Sequence, residues 1–189
     1  MKLDMKTIMR PALTLMIICL IVTAALGGVD ALTKDRIAQL AAEAEQAARA
    51  EVLPAATTFE PINDEETVFA GKDSAGSITG YVIITESSGY GGKLRVMTGI
   101  SAAGEVTGIN ILSHNETVGL GANCTKPSFR NQFLGKLTGN GFSVYKPGSA
   151  APSEGGVEAI TSATISSNAV VKAVNDAVAI FRAQEGAVN

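Results

Sequence analysis

Five hydroxyl side chains fall within seven residues at Thr161-Ser162-Ala163-Thr164-Ile165-Ser166-Ser167, directly ahead of a long apolar-periodic stretch. Such a run has two compatible uses. Ser and Thr at the start of a helix accept hydrogen bonds from its first N–H groups. The same helix terminus, with unpaired N–H groups and the positive end of the dipole, also receives phosphate. A second place is Glu116-Thr117-Val118-Gly119-Leu120-Gly121. Its two glycines let backbone come close to a ligand, and they equally suit a turn after a strand.

Other chemistries find no support. The single His114 leaves a His-dependent triad no choice of base, and no G-x-S-x-G is present. Ser143-Val144-Tyr145-Lys146 fits S-x-x-K, but it precedes Pro147 in a loop and lacks the S-D-N and K-T-G partners. With one His and two Cys, no metal-ligand cluster is expected, and no residue is assigned a catalytic role. Cys19 sits in an apolar stretch and Cys124 outside it, so no disulfide framework is expected. A net charge of −3 without a basic stripe argues against nucleic acid as a partner.

The elements that must position these residues are legible from periodicity. After Pro54 and a loop over TTFEPINDEE come TVFAG, ITGYVIITES, KLRVMTGIS and EVTGINILSH, each bounded by Gly, Ser, Asp or Asn. These predict four antiparallel strands in a meander with short connections. A Gly-rich loop (Glu116 to Asn123), a short helix around Ser128 to Leu134, and a flexible Gly/Pro/Ser segment to Gly156 follow. One long helix closes the chain, capped by Ser166 or Ser167, with Ala169, Val170, Ala173, Val174, Ala177, Val178 and Phe181 on its apolar face. The expected class is α+β, a helix laid on an antiparallel sheet.

Pro11 to Val29 is a run of 19 residues without a charge, about 28 Å long as a helix and close to the thickness of a bilayer core. A cleaved leader has a shorter apolar region, and here a helical pattern continues through Lys34 to Pro54, with Ile37, Leu40, Ala41, Ala44 and Ala48 at helical spacing. An uncut single-pass transmembrane helix in the lipid bilayer is therefore expected. Lys2, Lys6 and Arg10 before the span outweigh Lys34 and Arg36 after it, which favours a cytoplasmic N-terminus and an extracytoplasmic domain. The expected organisation is 1–33 as cytoplasmic N-terminus and span, 34–65 as juxtamembrane helix and linker, and 66–189 as the extracytoplasmic domain.

Taken together, these features resemble the flavin-binding G subunit of the Rnf electron-transport complex, and the C subunit of the sodium-translocating NADH:quinone reductase, which shares its FMN-binding domain. The resemblance spans nearly the whole chain. It includes Ser113-His114-Asn115-Glu116-Thr117-Val118-Gly119-Leu120-Gly121, Phe129 with Gln132-Phe133-Leu134-Gly135-Lys136, and Ile160 to Ser167. In that family a D-x-x-[ST]-G-A-T-x-[ST] signature marks a threonine that receives FMN through a phosphoester bond, made from FAD by a dedicated flavin transferase. The matching run is Glu158-Ala159-Ile160-Thr161-Ser162-Ala163-Thr164-Ile165-Ser166, which implies that Thr164 is the acceptor. The resemblance implies a cofactor site of Thr164, Ser162, Ala163 and Ile165 together with Glu116, Thr117, Gly119, Leu120 and Gly121. Glu158 stands where Asp is usual, Val118 where Pro is common, and Ser162 where Gly is usual; Ser reaches positive φ only with strain.

The implied function is an electron-carrying flavoprotein subunit of an ion-translocating ferredoxin:NAD⁺ oxidoreductase in the cell (inner) membrane, with covalent FMN and no substrate chemistry of its own. Its partners would be the other integral membrane and redox subunits. The relatively short chain favours this form over its quinone-reductase equivalent, and a free-standing membrane-anchored flavoprotein reductase is a further alternative.

Overall fold

The computed structural model describes residues 5–135, 141–152 and 154–188; Lys2 and Lys136 lie outside them. The chain divides into two compact units, Met1–Ala44 and Glu45–Asn189. Helix α1, Met5–Val52, runs through the first and ends in the second. It contains an 18-residue window of mean hydropathy 2.5, none of it buried, and is by length and composition able to cross a membrane. Its later part, rich in Ala, Glu and Gln, keeps helical propensity high, and Arg49 pairs with Glu45 one turn earlier at 2.6 Å. The apolar face expected beyond the span is not buried as a whole. Ile37 and Leu40 are exposed, whereas Ala48 and Val52 pack in the second unit.

That second unit is built on a five-stranded antiparallel sheet in simple meander order: β1 Thr58–Pro61, β2 Val68–Lys72, β3 Ile78–Ser88, β4 Lys93–Ser101 and β5 Val106–Ser113. The loop expected over TTFEPINDEE is in part an edge strand: Thr58 to Pro61 pair with Lys72 to Phe69. Pro61 ends that strand at the sheet edge, where a missing N–H leaves no ladder bond unmade. Alternation along the central strands sends side chains to two different layers. Ile83, Leu94, Val96 and Ile100 meet the closing helix α3, Thr164–Val188, while Val82, Ile84 and Met97 meet Ala48, Val52 and Leu53 at the end of α1. The sheet is therefore covered on both faces. All seven residues of the expected α3 face, from Ala169 to Phe181, are buried.

Two buried hydroxyls fix where α3 lies along the sheet. Thr85 donates to the carbonyl of Ala173 at 2.9 Å and Ser87 to that of Ala169 at 2.6 Å. Residues two apart on a strand thus grip carbonyls one turn apart on the helix. Between β5 and α3 the chain forms a 3₁₀ turn Gly121–Thr125, a short helix α2 Pro127–Arg130 and a 3₁₀ turn Asn131–Phe133. The segment expected to be flexible contributes β6, Ser143–Tyr145, which pairs in parallel with β7, Gly156–Glu158.

Candidate functional site

The Glu116 carboxylate is the hub of the region where the two sequence motifs meet. Glu116 is 6% exposed. Its Oε1 accepts the N–H of Gly91 at 3.1 Å, and its Oε2 accepts the Ser166 hydroxyl at 2.5 Å. One side chain thus ties the β3–β4 turn and the first turn of α3 to the glycine loop. Hydrogen bonds to a charged acceptor are the strong ones. Glycines make the burial possible: a Cβ on Gly89 would collide with Oε1 and Leu94, and one on Gly121 with Oε2 and the Ser166 oxygen. Close by, burial pushes the Cys124 thiol up to about 11, and the negative charge of Glu116 acts in the same direction. Cys124 is thereby a neutral core residue at physiological pH.

The hydroxyl run separates by environment. Helix α3 begins at Thr164, so Ser166 and Ser167 lie within its first turn and do not precede it as caps. Both are buried and engaged: Ser166 donates to Glu116, while Ser167 accepts the Ile160 N–H at 2.9 Å and donates to the Ala163 carbonyl at 3.0 Å. Thr161, Ser162 and Thr164 are exposed. Thr164 occupies the position where a helix has N–H groups without internal acceptors.

A cleft of about 550 Å³ opens beside this turn, within the size range of small-molecule and cofactor sites. Glu116, Thr117, Leu120 and Gly121 line it from the glycine loop, and Ser162, Ala163, Thr164 and Ile165 from the α3 turn. Gly119 faces a neighbouring groove of about 590 Å³ instead, together with Thr161, Lys126 and Glu158. Thr161 and Thr164 therefore open on different depressions. Gln132 steadies the approach to the turn, its amide oxygen accepting the Glu158 N–H at 2.7 Å. Tyr90, which belongs to neither sequence motif, also lines the cleft. Its only local signal is an aromatic ring between glycines in Gly89-Tyr90-Gly91-Gly92. The Glu116 to Ser166 bond spans 50 residues of chain and leaves no local signal at all.

Ser162 has φ of 61°, in the left-handed region. The backbone of this turn has the form a glycine would take freely, and Ser takes it under strain of roughly 1–2 kcal/mol. Ser162→Gly relieves that strain and loses about 0.5–1 kcal/mol to the freer unfolded chain. The expected outcome is a more stable protein, by up to about 1.5 kcal/mol, read as a higher urea midpoint with unchanged slope. A lower midpoint would show that the serine side chain stabilises the turn.

Comparison with known proteins gives a consistent picture. Residues 1–52 match the family model for the RnfG N-terminal region, and residues 89–179 match that for the FMN-binding domain. The G subunit of the ion-translocating oxidoreductase complex of Methanosarcina acetivorans is 36% identical over 97% of this chain and 99% of its own length. The G subunit of the Na(+)-translocating ferredoxin:NAD(+) oxidoreductase complex of Acetobacterium woodii is 34% identical over 96% of this chain and 95% of its own. Among solved structures, Shewanella oneidensis NqrC superimposes with a TM-score of 0.51 at 22% identity, covering 57% of this chain and 52% of that one, a likeness of fold.

Proposed function

This chain belongs to the RnfG family, the G subunits of ion-translocating oxidoreductase complexes, and on that premise we propose that it is a membrane-anchored electron-carrying subunit of such a complex, with FMN joined by a phosphoester to Thr164. The observation that carries the site is the sorting of the hydroxyls. Ser166 and Ser167 are buried and engaged, and of the two exposed hydroxyl residues that line the cofactor-sized cleft from this turn, Ser162 and Thr164, only Thr164 stands within α3, at its first position. In the attachment step, made by a flavin transferase, the Thr164 oxygen forms a bond to the FMN phosphorus of FAD as the pyrophosphate bond breaks. AMP leaves, and the hydroxyl proton passes to a base.

The residues present fit such a group. The ester phosphate keeps a negative charge, which the α3 terminus stabilises by about 0.3–1 kcal/mol. Thr117, Leu120, Gly121, Ala163 and Ile165 offer a cleft wall of mixed, mostly apolar character beside that terminus. Once bound, the flavin supplies the electron-transfer chemistry, while the surrounding protein sets its orientation and potential. A tether also fixes the effective concentration of the carrier beside its electron partners, which on the outer side of a membrane would otherwise be lost to dilution. The test is peptide mass mapping of the protein from its native membrane. An FMN-sized increment on the peptide containing Thr164 is expected; an unmodified peptide refutes the reading.

The same reading places α1 across the bilayer with its N-terminus in the cytoplasm, since Lys6 and Arg10 flank the apolar run on that side. Protease added to intact spheroplasts should digest the domain beyond Lys34. Protection until the membrane is opened would reverse the orientation.

A further inference from the structure

Tyr90 is 72% exposed, yet the backbone on either side of it is pinned. It sits at the tip of the β3–β4 hairpin, closed by the Gly89 N–H donating to the Gly92 carbonyl at 2.7 Å. The Gly91 N–H donates to Glu116, and a Cβ on Gly91 would collide with the backbone of Asn115. With Gly89 against Glu116 as well, both neighbours of Tyr90 abut the glycine loop and have no room for a side chain. An aromatic ring held on a fixed backbone, with few rotamers to lose, is suited to present a flat apolar face to a ligand. Its side chain borders the same cleft as Thr164, and the exposed apolar side chains of Leu120 and Ile165 border it too. Three separate elements thus bring exposed apolar groups to one slot. Glu116 sets the spacing between them, because its two oxygens hold the Tyr90 hairpin and the Thr164 turn at once.

Resting on the reading that Thr164 carries FMN, we infer that Tyr90 is the aromatic wall on which the flavin ring stacks, with Leu120 and Ile165 completing the slot. The ring is uncharged when oxidised and has two wide π-faces, so offset stacking on a phenol covers one of them. A phenol in stacking contact also donates an electron to the excited flavin and extinguishes its emission, which makes the contact directly readable.

The full chain and its Tyr90→Ala, Tyr90→Phe and Tyr90→Trp variants are produced with a flavin transferase. Flavin emission of the native protein is divided by that of the same sample after denaturation, which corrects for flavin content. The wild type and Tyr90→Trp should be strongly quenched in the native state. Tyr90→Ala and Tyr90→Phe should be several-fold brighter, since a phenyl ring keeps the shape but is not a comparable electron donor; a merely structural role would be rescued by Phe. Unchanged ratios in both variants, with FMN present on their Thr164 peptides, overturn the assignment of Tyr90. Absence of FMN from the wild-type Thr164 peptide instead overturns the underlying reading, and this one with it.

Discussion

Thr164→Val should abolish covalent flavin while leaving the chain folded. Valine keeps the volume and the β-branching of threonine and deletes one oxygen, the atom on which the proposed ester depends. Because Thr164 is exposed at the start of α3, the stability change should stay within about 0.5 kcal/mol, the usual range for surface substitutions. The loss of flavin, by contrast, should be complete. Of the neighbouring hydroxyls, Ser166 and Ser167 are buried and hydrogen-bonded and Thr161 opens on the adjoining groove, while Ser162 shares the cleft but precedes the helix, so Ser162→Ala should also keep its flavin. Thr161→Val is accordingly the matched control and should retain full loading. The measurement is in-gel fluorescence after denaturation, following co-expression with a flavin transferase. A fluorescent band from Thr164→Val equal to that of the wild type would move the attachment to another residue.

What the sequence discloses about this site, and what it conceals, follows from the range of each interaction. The α3 stripe from Ala169 to Phe181 is legible because burial on one face imposes a period within a few residues, and strands β2 to β5, in a sheet covered on both faces, are legible as short apolar runs bounded by turn residues. Strand β1 is not, since a four-residue edge strand with mostly exposed side chains carries no alternation to read. Ser166 and Ser167 depart from their expected capping role for a related reason. Propensity marks serines near a helix start as caps, but Ser166 instead meets Glu116, 50 residues away and brought there only by the fold, while Ser167 turns back within the same turn to the Ile160 N–H. Ser162 is the converse case. The chain follows a positive-φ path at a position where the family pattern has glycine, so the resemblance discloses a backbone requirement that serine itself does not advertise.

Large stability effects should come from crowding Glu116 or removing it. At Gly121, an added methyl group would occupy the space of the Glu116 and Ser166 oxygens, which already hydrogen-bond to each other. Gly121→Ala should therefore destabilise the full chain by about 1–3 kcal/mol, as overpacking of a closed site does, and lower the fraction of chains carrying flavin by shifting the turn that holds Thr164. Glu116→Ala should be costly too, since the Gly91 N–H and the Ser166 hydroxyl lose their acceptor, at about 1–3 kcal/mol for each group left unsatisfied. Combined, the two should cost less than the sum, because removing the carboxylate clears one of the two crowding oxygens and releases the Ser166 hydroxyl to turn away from the methyl. A favourable coupling of about 1–2 kcal/mol is expected, typical for residues in contact. Gly119→Ala supplies the contrast: at φ of 81° it is strained, but nothing lies within 4 Å of its added Cβ. Its cost of roughly 1–2 kcal/mol should be the same whether or not Glu116 is present. Urea midpoints of the single and double variants in detergent decide the matter. If Gly121→Ala costs as much without the Glu116 carboxylate as with it, the methyl is excluded by the Ser166 side chain alone, and Glu116 does not set the geometry of the cleft.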